Sequence, residues 1–165
     1  MVCLFSIQAW AQSGKLFNTD NQLSSNLATQ VFQDKSGFIW IATRNGLNTY
    51  DGYHITVMKK DMSNFLGLKS NYINSIAQDD KGHILLGTNN SLLEFTGSEF
   101  HKIPMLDSKG EELATYVKQV YPLKNKDVAV ATSGYGIMIK KQDAQECHAM
   151  KGEVEKLKYI HKLLE

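Results

Sequence analysis

The sequence predicts an all-β chain, a partial β-propeller of about three four-stranded antiparallel blades truncated in a fourth. Three observations predict it. The stretch from Asn26 to Gly52 recurs from Asn71 to Gly97 at a constant offset of 45 residues. Gln33-Asp34, Gly37, Thr43, Leu47 and Gly52 thus fall on Gln78-Asp79, Gly82, Thr88, Leu92 and Gly97. Within a copy the hydrophobic period is short: Leu27, Thr29 and Val31 alternate, as do Ile73, Ser75 and Ala77, and Phe38-Ile-Trp-Ile-Ala42 is a compact β-branched and aromatic run. Both patterns have the period and length of strands. Turn formers stand between these runs at fixed places, so each unit holds about four strands, the arithmetic of a propeller blade. A smaller all-β sandwich with accidental internal similarity is the rival, and matching turns at one offset argue against it.

Residues 1–11 carry no charge and end Ala9-Trp10-Ala11, small residues placed as signal peptidase requires. They are expected to be a partial signal peptide lacking its basic start, with a buried N-terminal strand as the alternative. The segment is too short to span a bilayer. Cleavage after Ala11 would remove Cys3 and leave Cys147 without an internal disulfide partner. Cys147 reads as an ordinary strand residue, since no metal-ligand or catalytic spacing accompanies it. Residues 12–22 are a lead-in.

Blade 1 (23–67) places strands at 28–33, 38–43, 47–50 and 54–58. Asp34-Lys-Ser-Gly37 joins the first two: Asp at the first turn position accepts turn amides, and Gly at the fourth tolerates positive φ. Arg44-Asn45-Gly46 and Tyr50-Asp51-Gly52 make the next turns. Blade 2 (68–112) repeats the plan at 73–78, 83–88, 92–95 and 100–103, with Asp79-Asp-Lys-Gly82 as its first turn. Blade 3 (113–152) is degenerate, with strands at 117–122, 127–132, 136–140 and 145–149. Leu123 and Lys126 replace Asp34 and Gly37, Ala129 replaces Trp40, Thr132 keeps the place of Thr43, and Gly136 that of Gly46. Residues 153–165 are expected to open a fourth blade, because Leu163-Leu164-Glu165 lies where Val31-Phe32-Gln33 would recur. Repeat logic makes 159–164 a strand, whereas Val154, Leu157, Ile160 and Leu164 have helical spacing. On this reading the chain stops inside a repeat, as a fragment or truncated product of a longer protein.

Charge narrows the function classes. The formal net charge of the 165 residues is +1, so no basic excess exists to neutralise nucleic-acid phosphates. Lys151, Lys156, Lys158 and Lys162 alternate with Glu153, Glu155 and Glu165 as a mixed-charge solvated surface.

The wording from Leu23 to Gly52, L-S-S-N and then F-Q-D-x-x-G-F-I-W-I-A-T-x-x-G-L-x-x-Y-D-G, resembles the two-component regulator propeller repeat. The resemblance is fullest over 23–52 and 68–97, thins over 117–140 and begins again at 160–165. It implies the N-terminal periplasmic sensor part of a hybrid two-component system (histidine kinase and response regulator) of the Bacteroidetes. Such sensors usually carry two propellers of about seven blades, a β-sandwich, a membrane span and a kinase core. The resemblance further implies an oligosaccharide ligand, a kinase module as partner and a periplasmic location. This sequence holds neither an H-E-x-x kinase box (His148 is followed by Ala-Met, His161 by Lys-Leu-Leu) nor a glycine-rich nucleotide box. No membrane span follows its repeats.

Residues that recur in every copy are explained first by the blade. Asp34, Gly37, Asp79 and Gly82 form turns, Trp40 and Leu85 pack between blades, and Thr43, Thr88 and Thr132 close strand ends beside Gly46 and Gly136. Asp79-Asp80 with Gly82 lacks the rest of a calcium loop, so no metal is expected. The spacing D-x-x-G-x-x-W is one residue longer than a sialidase Asp-box. Glu111-Glu112 point apart on an extended chain, and His54, His83 and His101 are isolated, so neither catalysis nor a cofactor is expected. Ligand contacts are expected instead on residues that vary between copies, in turns emerging on one face: Arg44, Asn45, Asn89, Asn90 and Tyr135, with the connections 59–70 and 104–116. Amides and guanidinium suit sugar hydroxyls, and an aromatic face suits a sugar ring. The readings in play are a ligand-sensing propeller segment, a fragment of a propeller polysaccharide lyase or hydrolase, and a structural protein-docking propeller. A homodimer is a further expected partner arrangement. Three blades cannot close a ring, so exposed apolar faces and edges predict self-association.

Overall fold

The computed structural model describes residues 14–60 and 67–150. The expected signal segment at 1–11, the middle of the 59–70 connection and the expected fourth-blade start at 153–165 lie outside the described residues. Three antiparallel sheets follow one another along the chain. The first pairs β1 (Ala28–Gln33), β2 (Ile39–Thr43), β3 (Gly46–Tyr50) and β4 (Ile55–Met58) in sequence order. The second does the same with β5 (Ile73–Gln78), β6 (Ile84–Thr88), β7 (Leu92–Phe95) and β8 (Phe100–Ile103). The third holds β10 (Val117–Pro122), β11 (Val128–Thr132), β12 (Ile137–Lys140) and β13 (Cys147–Ala149). Each strand expected for the three blades is present within two residues of its expected start.

One strand was not legible in the repeat. β9 (Met105–Leu106) follows the second sheet but pairs in parallel with β13 of the third, extending it to five strands. The stretch 104–116, expected as an open connection, therefore straps one blade to the next. It also carries its own turn: the amides of Lys109 and Glu111 both donate to Asp107 Oδ1, at 2.8 and 2.9 Å.

The cores lie between sheets, as amphipathic strands in a stack require. One joins Trp40, Ala42, Leu47 and Met58 of the first sheet to Ile73, Ile76, Ile84, Leu86 and Leu93 of the second. The other joins Ala77, Leu85, Leu92 and Ile103 to Val117, Val120, Val128, Val130 and Met138 of the third. Trp40, Leu85 and Ala129 hold equivalent registers, opposite Phe32, Ala77 and Tyr121, and all three are buried. The outer face of the first sheet differs. Val31 is 63% exposed, while its counterparts Ile76 and Val120 are 1% and 4% exposed. No described sheet covers that face.

The hairpins repeat in atomic detail. The hydroxyls of Thr43, Thr88 and Thr132 donate to the carbonyls of Gly46, Ser91 and Gly136 at 2.8, 2.9 and 2.9 Å. In the first turn, Asp34 Oδ1 accepts the amides of Ser36 and Phe38 at 2.9 and 3.0 Å, and Oδ2 accepts Trp40 Nε1 at 2.8 Å. The third sheet builds the same turn without the Asp and Gly. Lys126 takes φ 69°, where Gly37 and Gly82 take 92° and 90°.

Candidate functional site

The innermost strand of each sheet carries the same irregularity. Register slips between Ala28 and Gln30, between Ile73 and Ser75, and between Val117 and Gln119. The extra residues are Thr29, Asn74 and Lys118. A bulge leaves its residue out of the ladder and re-aims the side chain. All three line one cleft of about 340 Å³, with Arg44, Tyr72 and Tyr116. Repetition of a backbone defect thus turns polar side chains from three separate blades toward one space.

The cleft wall is aromatic and cationic. The rings of Tyr72 and Tyr116 meet edge to face with centroids 6.3 Å apart. The Arg44 guanidinium lies 5.6 Å from the Tyr72 ring centroid, within cation–π range. Tyr116 donates its hydroxyl to Asn74 Oδ1 at 2.9 Å, and Asn74 Nδ2 donates to the Val117 carbonyl at 3.0 Å. Burial, and then the Tyr72 phenol beside it, push the Tyr116 phenol above its usual range, so it remains a neutral donor. The arrangement offers planar apolar faces beside amide, hydroxyl and cationic groups, and it contains no nucleophile paired with a base.

Of the five sequence candidates, only Arg44 lines this cleft. The backbone amide of Asn45 donates to Thr43 Oγ1 at 3.1 Å, within the hairpin. Asn89 Oδ1 accepts Ser70 Oγ at 2.7 Å, and Asn90 Oδ1 accepts the Thr88 and Ser91 hydroxyls at 3.2 Å each. Tyr135 is exposed in the β11–β12 turn. Tyr116 ends the connection 104–116 that the sequence offered, whereas sequence reasoning missed Thr29, Tyr72, Asn74 and Lys118. A signal for them existed: Tyr72 and Tyr116 replace Leu27, and Asn74 and Lys118 replace Thr29, all at repeat spacing.

A second cavity, of about 350 Å³, opens beside the β1–β2 and β5–β6 turns, lined by Phe38, Trp40, Met58, His83, Ile84 and Phe95 among others. Next to it Asp79, His83 and Glu94 bring ligand atoms within 4.8 Å of one another, the group among the described residues able to hold a metal ion. Asp80, weighed with Asp79 as an acidic pair, turns away: it accepts Gln142 Nε2 at 2.8 Å and lies 3.7 Å from Lys126 Nζ.

Comparison with known proteins agrees with this architecture. The family described as Two component regulator propeller matches at residues 22–45 and 67–90. No curated protein matches the chain. Among solved structures, an extracellular domain from B. thetaiotaomicron, described in one case as of a one component system and in another as of a hybrid two component system, superposes with TM-scores of 0.63 and 0.61. Identity is 19% and 18%, over 76% and 73% of this chain and 18% and 17% of that domain. The extracellular domain of a second system of B. thetaiotaomicron, described as hybrid two component, gives 0.54 at 14% identity, covering 83% of this chain and 26% of the other. PorZ of Porphyromonas gingivalis, a surface component of the type-IX secretion system, gives 0.57 at 14% identity, over 75% of this chain and 21% of PorZ. At these identities the likeness is one of fold, and the chain spans about a quarter or less of each solved chain. No helix among the described residues is long and apolar enough to cross a membrane. Two successive blades of the chain thus match the two component regulator propeller repeat, within a fold of stacked four-stranded sheets.

Proposed function

We propose that the chain is a ligand-sensing propeller segment that binds an oligosaccharide in the cleft of Arg44, Tyr72, Asn74 and Tyr116. The observation that carries this reading is the convergence of two tyrosine rings, an amide and a guanidinium on one space built by three blades. Aromatic faces match the apolar faces of sugar rings, and forked donors match vicinal hydroxyls. The segment works by binding, not turnover, outside the cytoplasmic membrane, and a kinase module elsewhere in a hybrid sensor reads the bound state. The fold likeness to extracellular domains described as parts of hybrid two component systems supports that setting.

The test is calorimetric titration with a panel of neutral and acidic oligosaccharides. One class binds, and Tyr72→Ala and Tyr116→Ala each weaken it about tenfold, the loss of roughly 1–2 kcal/mol of ring contact. Affinity for no oligosaccharide, or equal affinity in both variants, sinks the cleft as a sugar site. Release of shortened sugar would favour the lyase or hydrolase reading.

A further inference from the structure

The second blade departs from the first at three positions that touch one another. Phe38, Trp40 and Thr49 of the first blade are replaced, at the repeat offset of 45, by His83, Leu85 and Glu94. The register confirms the equivalence: Trp40 pairs with Thr49 as Leu85 pairs with Glu94. In the first blade, Trp40 Nε1 occupies Asp34 Oδ2. In the second, Leu85 offers no donor, and Asp79 Oδ2 faces His83 Nδ1 at 3.8 Å, longer than a hydrogen bond. Asp79 Oδ1 is meanwhile fixed by the His83 backbone amide at 2.8 Å, so the carboxylate cannot swing away without losing that turn bond. Its side chain is 5% exposed. The substitution that freed Oδ2 is accompanied by two others that bring in an imidazole and a second carboxylate.

We propose that Asp79 Oδ2, His83 Nδ1 and Glu94 Oε1 form a binding site for a divalent transition-metal ion of the zinc class. Zinc bonds of about 2.0–2.2 Å in tetrahedral array place neighbouring ligand atoms about 3.4 Å apart. The two distances made by His83 Nδ1, 3.1 Å to Glu94 and 3.8 Å to Asp79, bracket that value. An imidazole nitrogen among the ligands favours zinc over calcium, which takes about six to eight oxygens. Two carboxylates balance the charge of the ion where Asp79 is buried and Glu94 is 15% exposed, which lowers the cost of desolvating it. The His83 side chain is 34% exposed, which gives the ion access from solvent. The third blade has Leu123 and Ile139 in the places of Asp79 and Glu94, so the site belongs to the second blade alone among those described.

Titration of the whole chain with zinc chloride, followed by calorimetry and by thermal melting, tests the proposal. The wild type binds one equivalent and melts at higher temperature with zinc. His83→Ala and the near-isosteric Glu94→Gln each weaken binding at least tenfold and abolish the zinc-dependent rise, whereas His148→Ala, a half-exposed histidine on β13 of the third sheet, changes neither. Loss of even an outer-shell partner commonly costs about 10–100-fold, so loss of a direct ligand cannot be silent. Unchanged binding in both trio variants, or no one-to-one binding by a folded wild type, overturns the site and leaves a hydrogen-bonded histidine–carboxylate cluster.

Discussion

Gln30 of the first blade grips Ile76 of the second at both ends of one peptide residue. Its Nε2 donates to the Ile76 carbonyl at 2.9 Å, and its Oε1 accepts the Ile76 amide at 2.9 Å. Ser75, one repeat later, takes up the same position: its hydroxyl accepts the Val120 amide of the third blade at 3.0 Å. A second contact runs in parallel, from the Thr29 hydroxyl to the Ile73 carbonyl at 2.6 Å and from Asn74 Nδ2 to the Val117 carbonyl. The bulged inner strand therefore does two things at once. It tethers each blade to the next through backbone groups, and it aims polar side chains at the cleft.

Gln30→Ala should destabilise the chain by about 2 kcal/mol, because two backbone groups at a packed interface lose their partners. Urea denaturation followed by circular dichroism measures it. A midpoint unchanged from wild type would show that the tether contributes nothing.

Asp34→Ala should cost about 2–4 kcal/mol, since one carboxylate satisfies two turn amides and the Trp40 indole. It should also alter Trp40 fluorescence in the native state as the indole N–H loses its acceptor. Trp10 gives a background, which a Trp10→Phe version removes.

Lys126→Gly should stabilise the third blade by roughly 1 kcal/mol. The position demands a left-handed backbone, which a side chain resists. The exposed pair of Lys126 with Asp80, at 3.7 Å, is worth little in return. A lowered urea midpoint would contradict this account of the turn.

Gly87→Ala should destabilise by about 1–3 kcal/mol through overpacking. A Cβ there would sit 2.6 Å from Val117 Cγ1 and 3.2 Å from Val117 Cβ, across the interface of the second and third blades. Gly87→Val should be worse, and Val117→Ala in the same chain should relieve part of the loss. Additive effects of the two changes would argue against the contact.

Cys147 is buried on β13, and burial pushes its thiol up to about 12. A Cys3→Ser chain should therefore resist thiol reagents at pH 8 until it unfolds. Above about pH 8.5 the unfolded chain releases this proton while the folded chain keeps it, so alkali should lower stability. Rapid modification of the native protein at pH 8 would refute the burial.

Strand positions, turns and the division into stacked four-stranded sheets were legible in the sequence because they depend on short-range rules. Alternation sets which face of a strand is apolar, Asp34 and Gly37 fix a turn within five residues, and a repeat of 45 copies both. Even the degenerate third copy obeyed, with Lys126 bearing the strain that glycine avoids elsewhere. The tertiary structure alone decided what converges. Tyr72, Tyr116 and Arg44 belong to three repeats and meet only because each blade docks on the next with a bulged inner strand. β9 left its own repeat to join the following sheet, a parallel pairing with no local turn to announce it. Asp79, His83 and Glu94 lie on a turn and a strand whose pairing register brings them together. Local periodicity determines the units, whereas a site assembled from different units depends on how one is rotated and shifted against another, and that is set by long-range packing the periodic signal does not contain.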